Sequence, residues 1–205
     1  RIIDPQVHFR EPGQPEKEDL GSGSAAAVSG GVTSFLDMPN NKPAIVDMEG
    51  MQMKLDRAAA TCVSNYGFFI GATPHNLEQL QEVVGTPSAP KAIPGVCGTK
   101  IFMGSSTGTL LVNEHEALDT IFSGIGGLIA VHAEDEARLN ERYPSFKDRT
   151  DMAAHAEWRD DVTALLATKL AVGLAEKHNH RLHVLHLTSG LEADWLEGRT
   201  TLPSQ

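Results

Sequence analysis

Ile2-Ile3-Asp4-Pro5-Gln6-Val7-His8-Phe9-Arg10-Glu11-Pro12-Gly13 reads as a β-strand that runs into a turn and carries polar side chains to its carboxyl end. Side-chain direction on a strand alternates with period two, so residues 4, 6 and 8 are expected on one face, with Gln6 and His8 pointing together into the interior. Pro12-Gly13 then punctuates the chain. An imidazole and an amide at the carboxyl end of an apolar strand is where a barrel enzyme keeps its chemistry.

The same shape recurs along the chain. Apolar, β-rich runs at 2–9, 32–38, 66–71, 99–103, 128–132 and 182–187 alternate with amphipathic stretches at 17–29, 48–62, 76–84, 113–122, 160–178 and 190–197. Continuous apolar strands alternating with helices indicate βα units around a buried parallel sheet. No GxGxxG or GxxxxGK[ST] pattern follows any strand, so the nucleotide-binding versions of the wound sheet have no support. The expected fold is therefore α/β, a TIM-type (β/α) barrel, with about six of eight units in one catalytic domain over residues 1–205 and two beyond Gln205. Residues 86–98 and 136–157 read as loop excursions near the site.

Composition narrows the function. With 205 residues, 40% of them hydrophobic, the chain can bury one sizeable core, and a net charge of -10 repels nucleic acid and anionic membrane. Apolar runs stay far short of the ~20 residues that span a bilayer, and no signal-peptide pattern opens the chain, so a cytoplasmic location and a small-molecule substrate are expected. Cys62 and Cys97 form no CxxC pair, which leaves nitrogen and oxygen as the donors for any metal.

Beyond Gln6 and His8, polar residues mark four more expected strand ends: Asn40, Lys100, His132 and His186. His132 closes Gly127-Leu-Ile-Ala-Val-His132, where an unpartnered imidazole would be costly. Of His183 and His186, three apart on a strand, one can point inward. His186, on the face of Leu182 and Val184, is the expected one. Lys100 opens Ile-Phe-Met and places an amine in a buried strand, where it loses its proton or is modified. Singly, each has an ordinary reading as a hydrogen-bonded or snorkelling side chain. Three histidines and a lysine on four strand ends together favour a metal site.

The opening Asp4-Pro-Gln-Val-His-Phe-Arg-Glu-Pro-Gly13 resembles the start of the dihydroorotase family of cyclic amidohydrolases, where Asp-x-His-x-His-x-Arg-Glu-Pro-Gly follows the first barrel strand. Leu36-Asp-Met-Pro-Asn-Asn-Lys-Pro43, Lys100-Ile-Phe-Met-Gly104, His132-Ala-Glu-Asp135 and His183-Val-Leu-His-Leu-Thr-Ser189 resemble further family segments, in family order. The resemblance implies His8 as a ligand of one Zn²⁺, Lys100 as a carboxylated bridge between two, and His132 and His186 as ligands of the second. It also implies Arg10 and Asn40 as the binders of the substrate carboxylate. The implied reaction interconverts N-carbamoyl-L-aspartate and L-dihydroorotate in pyrimidine biosynthesis, and the implied assembly is a homodimer.

Two features depart from the family pattern. Gln6 stands where many relatives have histidine, and an amide is a weak zinc ligand, so the first metal site is expected to be weakened or empty. The family's Thr-Asp-His-Ala-Pro segment, whose aspartate carries the proton to the leaving nitrogen, has no counterpart in the 205 residues. No catalytic residue is assigned in its place, and the chain alone is expected to be inactive. Rival readings are a hydantoinase or allantoinase, which would not need Arg10, and a metal-free scaffold partner of aspartate transcarbamoylase, for which Gln6 speaks.

Overall fold

The computed structural model describes residues 2–105 and 108–199. Six strands, β1 (Ile2–Val7), β2 (Val32–Asp37), β3 (Asn65–Gly71), β6 (Val96–Phe102), β7 (Leu128–His132) and β8 (Arg181–Val184), form one sheet in the order β1-β2-β3-β6-β7-β8. Every neighbouring pair is parallel. The crossovers are α1 (Leu20–Ser29), α2 (Met48–Thr61), α3 (Leu77–Val84), α4 (His115–Gly124) and α7 (Asp161–His178), with α8 (Gly190–Glu197) after β8. Strands in strict sequential order, each followed by a helix, are the wall of a (β/α) barrel, and six of its units are present.

Burial explains why the strands read as unbroken apolar runs. Phe35, Phe68, Ile70, Ile101, Ile129 and Val131 face the helices in the larger core, whereas Met38, Phe69, Ala130 and Leu185 fill the other face with Leu36, Cys97 and Leu128 against them. Both faces are covered, as a parallel sheet requires. Among the described residues, β1 and β8 each pair on one side.

Helix starts follow their capping chemistry. Asp19, Asp47, Asp160 and Ser189 each accept a hydrogen bond from the backbone N–H three residues on, which begins α1, α2, α7 and α8. That is why α1 starts at Leu20 rather than at 17. The two expected loop excursions contain ordered structure instead. Residues 85–90 form a small antiparallel hairpin, β4 (Gly85–Thr86) with β5 (Ala89–Pro90), and β6 begins at Val96. Between β7 and α7 lie α5 (Glu136–Arg142), a 3₁₀ turn at Tyr143–Ser145 and α6 (Ala153–Trp158).

Three departures from simple alternation shape the site. Between Asp4 and Val7 the register with β2 slips, so the run 4, 6, 8 does not share one face from end to end. In β6 the register slips again, because Phe68 pairs with Val96 and Phe69 with Gly98, which leaves Cys97 as an extra residue. Finally, β8 ends at Val184, two residues before His186, which has a left-handed φ of 36°.

Candidate functional site

Lys100 sits at the middle of the interior. It is fully buried, and its Nζ has no hydrogen-bond partner, lying 4.6 Å from the centroid of the Phe102 ring. Burial alone pushes its amine well below the ordinary lysine range. Its charged form is costly here, because no hydrogen-bond acceptor replaces the solvation that burial removes.

His8 and Asn40 form one edge of the site, with His8 Nδ1 2.8 Å from Asn40 Oδ1 and Gln6 Nε2 3.5 Å from His8 Nε2. Burial lowers the His8 pKa, the Asn40 bond partly restores it, and the positive charges of Arg10, Lys100 and Lys54 lower it again. The loop that carries Arg10 is held by Asn41, whose amide donates to the carbonyls of Phe9 and Glu11 at 3.2 and 3.0 Å. Lys54 from α2 in turn donates to Asn41 Oδ1 at 2.7 Å and pairs with the buried Asp37 at 2.8 Å. Asp37 also accepts from the backbone N–H groups of Phe9 and Met38.

His132 and His186 form the opposite edge, with His132 Nδ1 3.0 Å from His186 Nε2. His186 does not arrive by strand alternation. Leu182 and Val184 pack towards the helices and Leu185 turns inward, so the left-handed backbone at His186 aims its ring back at β7. Burial, and then the fields of His132 and Lys100, lower its pKa to about 4. Lys100 thus acts electrostatically on both edges, on His8 and on His186.

Glu134 and Arg159, neither of them among the expected site residues, complete this edge. Glu134 Oε2 is 2.6 Å from His132 Nε2, and Arg159 grips the same carboxylate through both Nε, at 2.7 Å from Oε1, and Nη2. Period two carried past the strand end, from His132 to Glu134, was the available signal. A cavity of about 310 Å³ opens here, lined by His132, Glu134, His155, Arg159, His186 and Ser189 among others. Among the described residues, no three His, Cys, Asp or Glu side chains come together closely enough to hold a metal ion by themselves. His8 contacts Gln6 and Asn40, and His132 contacts His186 and Glu134.

Comparison with known proteins follows the same lines. The chain is 34% identical over 196 residues to a dihydroorotase of Methanosarcina acetivorans, in a match covering 93% of this chain and 39% of that protein. It is equally, 34%, identical over 215 residues to an allantoinase of Solibacter usitatus, covering 97% of this chain and 44% of that one. Both relatives are cyclic amidohydrolases, and the likeness runs over nearly the whole of this chain. The chain superposes on the L-hydantoinase (dihydropyrimidinase) of Arthrobacter aurescens with a TM-score of 0.84 at 24% identity, covering 96% of this chain and 44% of that one, which establishes the shared fold. No protein-family model matches it. The chain spans less than half the length of these relatives, and it is as similar to a dihydroorotase as to an allantoinase. Among its described residues, no helix is long and apolar enough to cross a membrane.

Proposed function

We propose that this chain carries the metal- and substrate-binding part of a cyclic amidohydrolase of the dihydroorotase type, acting on L-dihydroorotate and N-carbamoyl-L-aspartate. The observation that carries the reading is Lys100. A fully buried amine without a hydrogen-bond partner destabilises the fold unless a bound group uses it. Carboxylated by CO₂, it becomes an anionic oxygen ligand. His8, His132 and His186 supply imidazole nitrogens from the strand ends on either side, and this donor set suits Zn²⁺. When bound, the metal supplies a nucleophilic hydroxide at neutral pH and polarises the ring amide carbonyl.

The chain's own residues then do the recognising. Arg10, on the loop stapled by Asn41, offers two parallel N–H donors to a carboxylate, and Asn40, already oriented by His8, adds a donor through its amide nitrogen. In the ring-opening direction water's oxygen bonds to the amide carbon, the C–N bond breaks, and the ring nitrogen leaves with a proton. Gln6 beside His8 presents an amide where imidazole would bind more strongly, so one of two metal positions is weak.

The equal identity to an allantoinase supports a second reading, a ring substrate without the dihydroorotate carboxylate. Arg10 separates the two. With the zinc-loaded chain, titration calorimetry should show L-dihydroorotate binding that falls by about 30-fold or more in Arg10→Ala, the loss expected when a buried carboxylate loses its guanidinium. Equal binding by both proteins, or tighter binding of allantoin than of dihydroorotate, would discard the dihydroorotase reading.

A further inference from the structure

We infer that Glu134, gripped by Arg159, is a positioning residue for His132: it takes the ring's Nε2–H and so leaves Nδ1, the nitrogen that faces His186, with a free lone pair for a metal ion. The inference rests on the proposed metal-binding reading.

An ionised carboxylate can only accept hydrogen bonds, and Arg159 can only donate them. With Arg159 on both oxygens of Glu134, the carboxylate stays ionised, so the proton in the 2.6 Å contact to His132 belongs to the imidazole Nε2. In the neutral imidazole, which carries one N–H, Nδ1 then keeps its lone pair. For that form, His186 Nε2 is the donor in the 3.0 Å contact between the rings. Of the protons on the two nitrogens that face each other, one remains for a cation to displace.

The clamp is built to last. Glu134 and Arg159 are both largely buried, with side chains 12% and 23% exposed. Arg159 closes α6 and precedes the cap of α7, and its Nη1 lies 3.2 Å from His155 Nε2. The grip therefore ties the segment between β7 and α7 to the ring at the strand end. Imidazoles that bind metals commonly donate their other N–H to a carboxylate, which fixes ring and tautomer together.

The test uses the ¹⁵N-labelled chain at pH 7, first without metal. Long-range ¹H–¹⁵N correlation reads the tautomer of His132, assigned by comparison with His132→Asn. Wild type should show the Nε2–H form, Glu134→Ala a tautomer mixture, and Glu134→Gln the wild-type form, because the amide oxygen still accepts. Zinc titration against a competing chelator should then show about 10–100-fold weaker binding in Glu134→Ala. Glu134→Gln should recover most of it, with thermal melts confirming that each variant is folded. A wild-type His132 carrying its proton on Nδ1, or on both nitrogens, overturns the inference. So does unchanged zinc affinity in Glu134→Ala when wild type binds zinc. A wild-type chain that binds no zinc overturns the metal reading itself, and the inference with it.

Discussion

Two buried lysines in this chain lie in opposite surroundings, one paired and one without a hydrogen-bond partner. Lys54 is 1% exposed, pairs with Asp37 and donates to Asn41; Lys100 is equally buried and has no hydrogen-bond partner. Burial pushes the Asp37 carboxyl up and the Lys54 amine down, and their mutual attraction opposes both shifts. Lys54→Met should therefore cost about 3–5 kcal/mol, because Asp37 is left as a buried, uncompensated charge beneath the loop of Arg10. Urea unfolding measures it, and a loss under about 1 kcal/mol would show that the pair does not hold that loop. Lys100→Met should behave in the reverse sense. It removes an amine whose burial without a partner costs about 1–3 kcal/mol, so the metal-free chain should gain stability by a comparable amount while losing zinc binding. Equal zinc uptake by wild type and Lys100→Met would remove Lys100 from the site.

The element that sets the position of Lys100 is β6. Val96 faces the helices and Cys97 the interior, so simple alternation would turn Lys100 outward; the extra residue at Cys97 resets the parity and brings Lys100 and Phe102 inside. Gly98 allows the slip. Its φ is 151°, and a Cβ there would stand 2.4 Å from the carbonyl oxygen of Leu128 on β7. Gly98→Ala must push β6 away from β7 and should destabilise the chain by about 2–4 kcal/mol. The measurement is the denaturation midpoint, with zinc affinity falling alongside. A variant as stable as wild type would mean that the two strands separate freely at this point.

At the scale of the whole molecule, acid should undo the fold in two stages. Burial lowers the pKa of His8, and that of His186 to about 4, so for these the folded state resists protonation. Their contribution is present above the unfolded value near 6.5 and fades as pH falls towards 4. It is small for His186, whose ring is reached by solvent. Burial would raise Glu134, but the hydrogen bonds from His132 and Arg159 prevail and hold it at about 2 against an ordinary 4.5. A depressed carboxylate stabilises above its unfolded pKa and loses that contribution as pH falls through the folded one, on the order of 2 kcal/mol between pH 4.5 and 2. Asp160, lowered chiefly by Arg138, and Asp119, lowered to about 2 by Lys177 and His178, act in the same direction. Urea midpoints should slip gently from pH 6.5 and steeply below 4.5. A flat profile between pH 5 and 3 would contradict the role given to Glu134 and Asp160.

Sequence by itself determined the alternation of strands and helices, the burial of both sheet faces and the set of polar residues at strand ends. These follow from local periodicity, since Phe68 to Ile70 or Ile129 to Val131 must be apolar wherever a parallel strand is covered on both sides. Tertiary structure alone decided which way those residues point and what they meet. One extra residue at Cys97 reverses every side chain after it, and the left-handed turn at His186 replaces the alternation that singled it out. Glu134 meets Arg159 across 25 positions, and Asp37 meets Lys54 across α2, because the packing of helices on strands brings opposite charges into one dry space. Periodicity along the chain carries no record of such meetings, which arise between elements and not within them.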